Sequence, residues 1–309
     1  MRIWLTTMIR LFLIESVYKM KISNYYCNIN ESEKIYVKCL LCPRECLIKT
    51  EETGFCGVRK NIGGELYNIN WGIIVPPVIK SVGTNAIYMI DKDEMSLGIG
   101  SIGCNLNCDY CQSWKYTHDN EFDSDDFDTD VEPEDIVKIA LDYGLKYISF
   151  TFNDPISIFD YVVEVARLAR KYNIKTIFKS NMYLNENPVR ELVDCIDIFS
   201  ISIKSIRKEF YLKYCGNVDL EIVLRNTKFV YQSERHLEIS NLICPYSKSD
   251  NDVRDLAIWI RDSLSINVPL HVVKYHPENR MKGVIETEEV YKLSEIAKKY
   301  LRNVFVGNV

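Results

Sequence analysis

The sequence predicts an α/β fold: an open, partial (β/α)6 barrel with a small cysteine-rich extension on its amino-terminal side. A chain of 309 residues is long enough for one barrel-sized domain with a small appendage. From residue 96 onward, short apolar strands alternate with amphipathic helices, which is typical of a parallel sheet with right-handed crossovers. Seven of the eleven cysteines fall within residues 39–56 and 104–111, and such grouping indicates metal binding in a reducing compartment.

The first 20 residues contain an apolar stretch that we do not interpret as a membrane span. Arg10 and Glu15 interrupt the stretch, which is shorter than the roughly 18 residues that a span requires. No small-residue cleavage site of a signal peptide follows it. Met20 offers an alternative start, so we treat residues 1–20 as a non-native or disordered leader and expect a soluble, cytoplasmic protein.

The charge pattern argues against a nucleic-acid partner. The net charge is −5, and both signs are interspersed along the chain, so no broad basic surface is expected. The ten acidic residues between positions 119 and 135 lack the spaced ligand pattern of a calcium loop. We therefore expect a solvated loop there.

Residues 21–95 form the predicted extension, which shows no helical periodicity. Its four cysteines lie on short Pro- and Gly-containing turns and are Cys39, Cys42, Cys46 and Cys56. Four thiolates can close a tetrahedral zinc site or bind all four irons of a cubane cluster. Both centres are coordinatively full and thus structural or electron-relaying, and we favour the cluster. Residues 71–82 are expected to be an extended linker, because Pro76 and Pro77 are incompatible with a central strand.

Residues 96–309 carry the alternating pattern of the barrel. The first helix begins near Pro133, where acidic residues suit the positive end of the helix dipole, and it ends at Gly144. Further helices are predicted over residues 156–172, 187–194, 206–214, 219–233, 250–264 and 286–300. Strands are predicted over residues 96–102, 147–152, 174–179, 196–203, 237–243, 270–275 and 304–306. In parallel sheets of this kind, active sites form at the carboxyl ends of the strands.

The loop after the first strand carries three cysteines, Cys104, Cys108 and Cys111, at C-x3-C-x2-C spacing. Thiolates bind soft metals and iron–sulfur clusters. Three cysteines leave one iron of a cubane without a protein ligand, and an open iron implies chemistry at the metal. The alternatives are a three-cysteine zinc site or unliganded cysteines in a loop.

This spacing, with Tyr110 directly before the last cysteine, resembles the signature of the radical S-adenosylmethionine (SAM) superfamily. The resemblance implies a [4Fe–4S] cluster on the three cysteines, with SAM bound at the open iron. It further implies reductive cleavage of SAM to a 5′-deoxyadenosyl radical, which abstracts a hydrogen atom from a protein or small-molecule substrate. A reducing electron donor of the flavodoxin or ferredoxin type is implied as well.

Polar residues at successive strand ends are the candidate SAM contacts. They are Asp154, Asn181, Lys204 and His276. A carboxylate after the second strand can accept charge-assisted hydrogen bonds from the SAM ammonium group. Recurrence of polar groups at one end of a parallel sheet is the pattern expected of a shared site.

Longer stretches are similar to the radical SAM enzymes of the AmmeMemoRadiSam system, which are related to the pyruvate formate-lyase activating enzyme. The matching stretches are residues 39–46, 54–61, 103–114, 199–204, 209–211, 271–277 and 306–309. Three positions depart from the relatives: Asp154 stands in place of Glu, Ser202 in place of the Asp of an Asp-x-Lys element, and Met182 in place of the Gly of a Ser-Asn-Gly turn.

Three functions therefore follow from the sequence. The first is a SAM-cleaving enzyme that acts on an unknown substrate. The second is an activase that installs a glycyl radical on a protein partner. The third, from another class, is a non-catalytic iron–sulfur electron carrier or scaffold that uses both cysteine groups.

Overall fold

The computed structural model describes residues 19–31, 34–117 and 127–309. Two small antiparallel sheets precede one large sheet, and each small sheet has three strands among the described residues. The strands of the small sheets are β1 (Lys21–Ile22), β2 (Tyr26–Glu31), β3 (Lys34–Cys39), β4 (Leu47–Lys49), β5 (Arg59–Ile62) and β6 (Glu65–Asn68). Strands β2, β3 and β4 form one sheet, and β1, β6 and β5 form the other. The small sheets carry the first cysteine group.

The large sheet has eight strands among the described residues, and they are neighbours in chain order. They are β7 (Val75–Ser81), β8 (Met95–Gly100), β9 (Tyr147–Phe150), β10 (Lys175–Ser180), β11 (Ile198–Ser202), β12 (His236–Ile243), β13 (Leu270–Lys274) and β14 (Val304–Gly307). Strands β8 to β14 are parallel, whereas β7 runs antiparallel to β8. The two end strands do not pair, so the barrel is open. The predicted α/β class and partial barrel are confirmed.

Helices connect the parallel strands, as the alternating pattern predicts. They are α1 (Trp114–Thr117), α2 (Pro133–Asp142), α3 (Phe159–Lys171), α4 (Glu186–Cys195), α5 (Lys208–Tyr214), α6 (Leu220–Gln232), α7 (Asp250–Ser263) and α8 (Thr287–Lys298). Most predicted boundaries agree with these within two or three residues. The predicted helix 156–172 instead begins with a 3₁₀ turn, Pro155–Ile158, where the Asp154 carboxylate caps the backbone of Ile156.

The expected linker over residues 71–82 is wrong, because part of it forms β7. Pro76 and Pro77 lie in an edge strand, and the pairing register shifts between Val75 and Val78. Prolines are tolerated at an edge strand or a bulge because the missing N–H groups break no ladder between two strands. The last strand within residues 21–95 therefore belongs to the large sheet.

The amino ends of the strands are covered by the segment after β7. The buried carboxylate of Glu238 accepts hydrogen bonds from the backbone N–H groups of Tyr88 and Met89 at 2.9–3.0 Å. It also lies 2.9 Å from Nε2 of His236 and 2.7 Å from Nε2 of His271. These bonds lower the pKa of Glu238 to about 2 although burial opposes the shift. At this end of the barrel, the buried Glu238 carboxylate thus has hydrogen-bond partners for both of its oxygens.

The sequence predicts that the four cysteines outside the two groups are buried packing residues. Cys195, Cys215 and Cys244 are buried, whereas Cys27 is exposed on β2, so the prediction is wrong for Cys27. Residues 118–126, which hold half of the acidic run, lie outside the described residues. None of the helices in the described part of the chain is long and apolar enough to cross a membrane.

Candidate metal and cofactor site

The three-cysteine loop follows β8 at the carboxyl edge of the large sheet. Cys104 is buried, and Cys108 and Cys111 are partly buried. Asn153, which follows β9, holds the start of this loop: its Oδ1 accepts from the backbone N–H of Ser101 at 2.9 Å, and its Nδ2 donates to the carbonyl of Gly103 at 2.9 Å. The loop conformation is therefore tied to the neighbouring strand.

The far side of the loop is held by the opposite part of the barrel. The backbone N–H of Asp109 donates to the carbonyl of Tyr214 at 3.0 Å, and the carbonyl of Asp109 accepts from the N–H of Met281 at 2.7 Å. The hydroxyl of Tyr110 lies 3.1 Å from the sulfur of Cys215. Elements from across the open barrel thus fix the loop that carries the cysteines.

Asp154 is the most constrained of the predicted SAM contacts. Its Oδ1 accepts from the Ser180 hydroxyl at 2.9 Å and from the N–H of Ile156 at 3.2 Å, and its Oδ2 accepts from the N–H of Asn181 at 2.7 Å. Burial raises the pKa of Asp154, and these bonds oppose the shift. Its negative charge, together with burial, raises the pKa of Cys104, so the carboxylate lies within electrostatic reach of the loop.

Both polar atoms of the Asn181 side chain form hydrogen bonds with other residues of the protein. Its Nδ2 donates to Oδ1 of Asn105 at 3.0 Å, and its Oδ1 accepts from the N–H of Tyr183 at 2.7 Å. Asn105 directly follows Cys104 in the loop, and its own Nδ2 donates to the carbonyl of Tyr183 at 2.8 Å. Asn181 therefore positions the cysteine loop from the end of β10.

Lys204 lies just beyond β11, at the same edge of the sheet as the three-cysteine loop. Its backbone N–H donates to the Tyr211 hydroxyl at 2.9 Å. A hydrogen bond with Cys215 lowers the pKa of Cys108 against the effect of burial, and the positive charge of Lys204 acts in the same direction. The structure thus brings Lys204 to the loop, whereas His276 is exposed beyond the end of β13.

The four cysteines of the extension come together. Cys39, Cys42, Cys46 and Cys56 line one pocket with residues that include Arg44, Arg59 and Asn105. Burial raises the pKa of Cys39 to about 11 and that of Cys42 to about 12. Buried thiols of this kind become thiolates when a metal replaces the proton.

The donor sets of both cysteine groups fit soft metals and iron–sulfur clusters. Both groups consist of sulfur ligands, which suit soft metals. Among the described residues, no three His, Cys, Asp or Glu side chains are close enough together to hold one metal ion. Four thiolates that line one pocket are a donor set that fits either a polynuclear iron–sulfur group or a tetrahedral zinc ion.

The two cysteine groups adjoin each other. Gly103 has a φ of +84°, and a Cβ at this position would lie 2.6 Å from the carbonyl oxygen of Cys56 and 2.8 Å from a methyl of Val58. Arg44 donates from Nε to the carbonyl of Asn105. The extension therefore packs directly against the three-cysteine loop.

Several residues that shape the site were missed by the sequence analysis. They are Arg44, Arg59, Asn105, Asn153 and Cys215. The two arginines lie within the cysteine-bearing stretches, so their position in the sequence was a usable signal. Asn105 follows Cys104 and Asn153 precedes Asp154, so their positions were a signal too, whereas nothing in the pattern singles out Cys215, whose partner Tyr110 is distant in the chain.

The chain is similar in sequence to known proteins. The model of the radical SAM superfamily matches residues 99–260. The protein MJ0808 of Methanocaldococcus jannaschii is 31% identical over 281 residues, which cover 88% of this chain and 81% of that protein. A probable GTP 3′,8-cyclase of Methanococcus aeolicus is 25% identical over 214 residues, which cover 65% of this chain and 68% of that protein.

A solved structure shares the fold. The crystal structure of Streptococcus suis SuiB bound to S-adenosylmethionine superposes with a TM-score of 0.54 at 15% sequence identity. The match covers 68% of this chain and 49% of SuiB. At this level of identity the likeness concerns the fold alone.

Proposed function

The chain belongs to the radical SAM superfamily, and from this premise we propose that it is an enzyme that reductively cleaves SAM and abstracts a hydrogen atom from its substrate. The observation that carries the proposal is the three-cysteine loop at the carboxyl edge of the sheet, within electrostatic reach of Asp154 and Lys204. Cys104, Cys108 and Cys111 hold the [4Fe–4S] cluster. When bound, this cluster supplies one-electron reduction and an open iron for SAM.

Asp154 and Lys204 orient SAM. The Asp154 carboxylate, held by three hydrogen bonds, is prearranged to accept from the SAM ammonium group. The Lys204 ammonium has no ion-pair partner among the described residues and suits the SAM carboxylate. Asn181 contributes by holding Asn105 in the loop. His276 is proposed only as a contact at the rim, since it is exposed.

The extension of residues 21–95 holds a second metal centre on Cys39, Cys42, Cys46 and Cys56. We favour a second iron–sulfur cluster over zinc because the four thiols line one pocket and the adjoining three-cysteine site already requires an iron-loaded protein. A four-cysteine cluster is coordinatively full and supplies electron storage or structure. The barrel proper then comprises residues 96–309, with β7 added at its edge.

The proposed substrate is a protein, a peptide or a small molecule. The similarity to the AmmeMemoRadiSam enzymes extends over both cysteine groups, and this favours that branch of the superfamily. The activase alternative is weakened by Ser202, which lacks the carboxylate of the Asp-x-Lys element. The Ser202 hydroxyl lies 3.1 Å from the Ser240 hydroxyl, so it forms a neutral contact inside the barrel. An external flavodoxin or ferredoxin is the proposed electron donor.

Formation of 5′-deoxyadenosine tests the proposal. Anaerobically reconstituted protein is mixed with dithionite and SAM, and the product is measured by chromatography. The Cys108→Ala variant should form none, whereas Cys195→Ala, which alters a buried cysteine outside both groups, should match the unaltered chain. Iron-loaded protein that forms no product would support the non-catalytic alternative. A glycyl radical signal with a candidate partner enzyme would instead support the activase.

A further inference from the structure

Arg59 is a fully buried cation whose hydrogen-bonding capacity is only partly used. The residue is 1% exposed. Its Nη1 donates to Oδ2 of Asp160 on α3 and to the hydroxyl of Ser23. Its Nε and Nη2 are buried and have no hydrogen-bond partner among the described residues. A buried donor without a partner destabilises the fold, so two such donors on one side chain require an explanation.

The pairing with Asp160 does not use the geometry that an isolated ion pair prefers. Arginine and carboxylate commonly form two parallel hydrogen bonds, yet Oδ1 of Asp160 is buried and also has no partner. The guanidinium group therefore presents its Nη1 to Asp160 and leaves the Nε and Nη2 donors for another acceptor. The ion pair with Asp160 accounts for the position of the guanidinium charge. It does not account for the Nε and Nη2 donors, which have no partner among the described residues.

The pocket of the four cysteines supplies the missing acceptor. Arg59 lines this pocket together with Cys39, Cys42, Cys46 and Cys56. Its positive charge partly offsets the effect of burial on the pKa of Cys39 and of Cys56. Four thiolates around a cluster carry net negative charge, and hydrogen bonds to cluster sulfurs are a main determinant of stability and reduction potential.

We propose that Arg59 is the positioning residue of the second metal centre: its Nε and Nη2 donate hydrogen bonds to the sulfur atoms of the cluster, while Asp160 and Ser23 hold the guanidinium in place. This inference rests on the second centre of the proposed function. It assigns Arg59 two effects on that centre, retention of the cluster and a less negative reduction potential. The ion pair with Asp160 also joins the extension to α3 of the barrel.

The test isolates the second centre in the full-length chain. A parent variant with Cys104, Cys108 and Cys111 changed to Ala removes the first cluster. Arg59→Gln with Asp160→Asn is then added, because the double change leaves no uncompensated buried carboxylate. The matched control is Lys60→Gln, which alters the neighbouring cation of β5, paired with Glu51 at 3.1 Å and absent from the residues of the cysteine pocket.

Two measurements report on the centre after anaerobic reconstitution. They are the rate of iron loss to a chelator and the midpoint potential from a titration followed by electron paramagnetic resonance. In the double variant, we expect iron loss to be at least tenfold faster and the potential to become more negative, whereas Lys60→Gln should match the parent. Arg59→Lys keeps the charge but loses the planar set of guanidinium donors, so its rate of iron loss and its potential should lie between those of the double variant and the parent.

The outcomes distinguish the role of Arg59 from the existence of the second cluster. An unchanged potential together with an unchanged rate of iron loss in the double variant, with native circular dichroism, would overturn the role of Arg59. A parent variant that binds no iron would instead contradict the second cluster itself, whatever Arg59 does.

Discussion

The carboxylate of Asp154 accepts a hydrogen bond from the backbone N–H of Asn181, with 2.7 Å between Oδ2 and N. This bond joins the ends of the neighbouring strands β9 and β10 at the edge where the cysteine loop lies. It fixes the orientation of the carboxylate, and it opposes the rise that burial causes in the pKa of Asp154. A polar group of this kind can bind a cationic ligand without reorganisation.

Replacing Asp154 should therefore weaken SAM binding. Asp154→Asn keeps an oxygen acceptor but removes the charge, and a hydrogen bond to a charged group contributes about 1.5–3 kcal/mol. We expect the Kd for SAM, measured by anaerobic equilibrium dialysis, to rise about 10- to 100-fold. Asp197→Asn is the control, because Asp197 accepts from Thr176 at the start of β10, at the other end of the strand. Equal affinity in the two variants would argue against Asp154 as a SAM contact.

Loss of one extension cysteine should leave the first cluster intact. Cys42 is buried and belongs to the pocket of the extension, so Cys42→Ala should lower the iron content from about eight to about four per chain. SAM-dependent changes in the electron paramagnetic resonance spectrum of the remaining cluster should persist. Cys244→Ala, at a buried position outside both groups, should retain all the iron. Loss of the SAM-dependent spectrum in Cys42→Ala would mean that the two groups form one site.

Gly103 should not tolerate a side chain, because the cysteine loop touches the extension there. In Gly103→Ala, the Cβ would meet the Cys56 carbonyl at 2.6 Å, in addition to the strain of a positive φ. Gly144→Ala is the matched control, since Gly144 has a φ of +65° with no atom within 4 Å of the added Cβ. The control should lose roughly 1–2 kcal/mol of stability, whereas Gly103→Ala should lose more and bind less iron.

These two glycine variants are compared by thermal unfolding and by iron analysis. Because the control carries the backbone strain without the steric contact, the difference between them measures the contact. Similar Tm values and iron contents in both variants would contradict direct packing of the extension against the loop.

The buried Glu238 carboxylate should make the stability of the fold depend on pH in the acid range. The folded-state pKa of about 2 lies below the ordinary value of 4.5, so the carboxylate stabilises the fold above about pH 4.5. This contribution, on the order of 3 kcal/mol, is lost as the pH falls from 4.5 towards 2. Glu238→Gln should therefore lower Tm at pH 7, and the difference from the unaltered chain should shrink at pH 3. A difference that stays constant between these pH values would refute the assignment.

The alternation of elements was predictable because it depends on local patterns. Short apolar runs that alternate with amphipathic segments predicted the parallel strands. The acidic residues near Pro133 predicted the start of α2, where Glu132 and Asp135 form a capping box. The strand β7 was not predicted, since prolines exclude a central strand but not an edge strand. Which strand lies at the edge is decided only by the completed sheet.

The cysteine spacing by itself predicted two metal sites, because ligands that lie close in the chain can reach one centre whatever the rest of the fold does. The sequence likewise determined that polar residues end successive strands. Only the tertiary structure decided that Asn181 supports the loop through Asn105, that His276 is exposed, and that Arg59 lines the extension's cysteine pocket. Each of these depends on contacts between residues distant in the chain, which no local periodicity encodes.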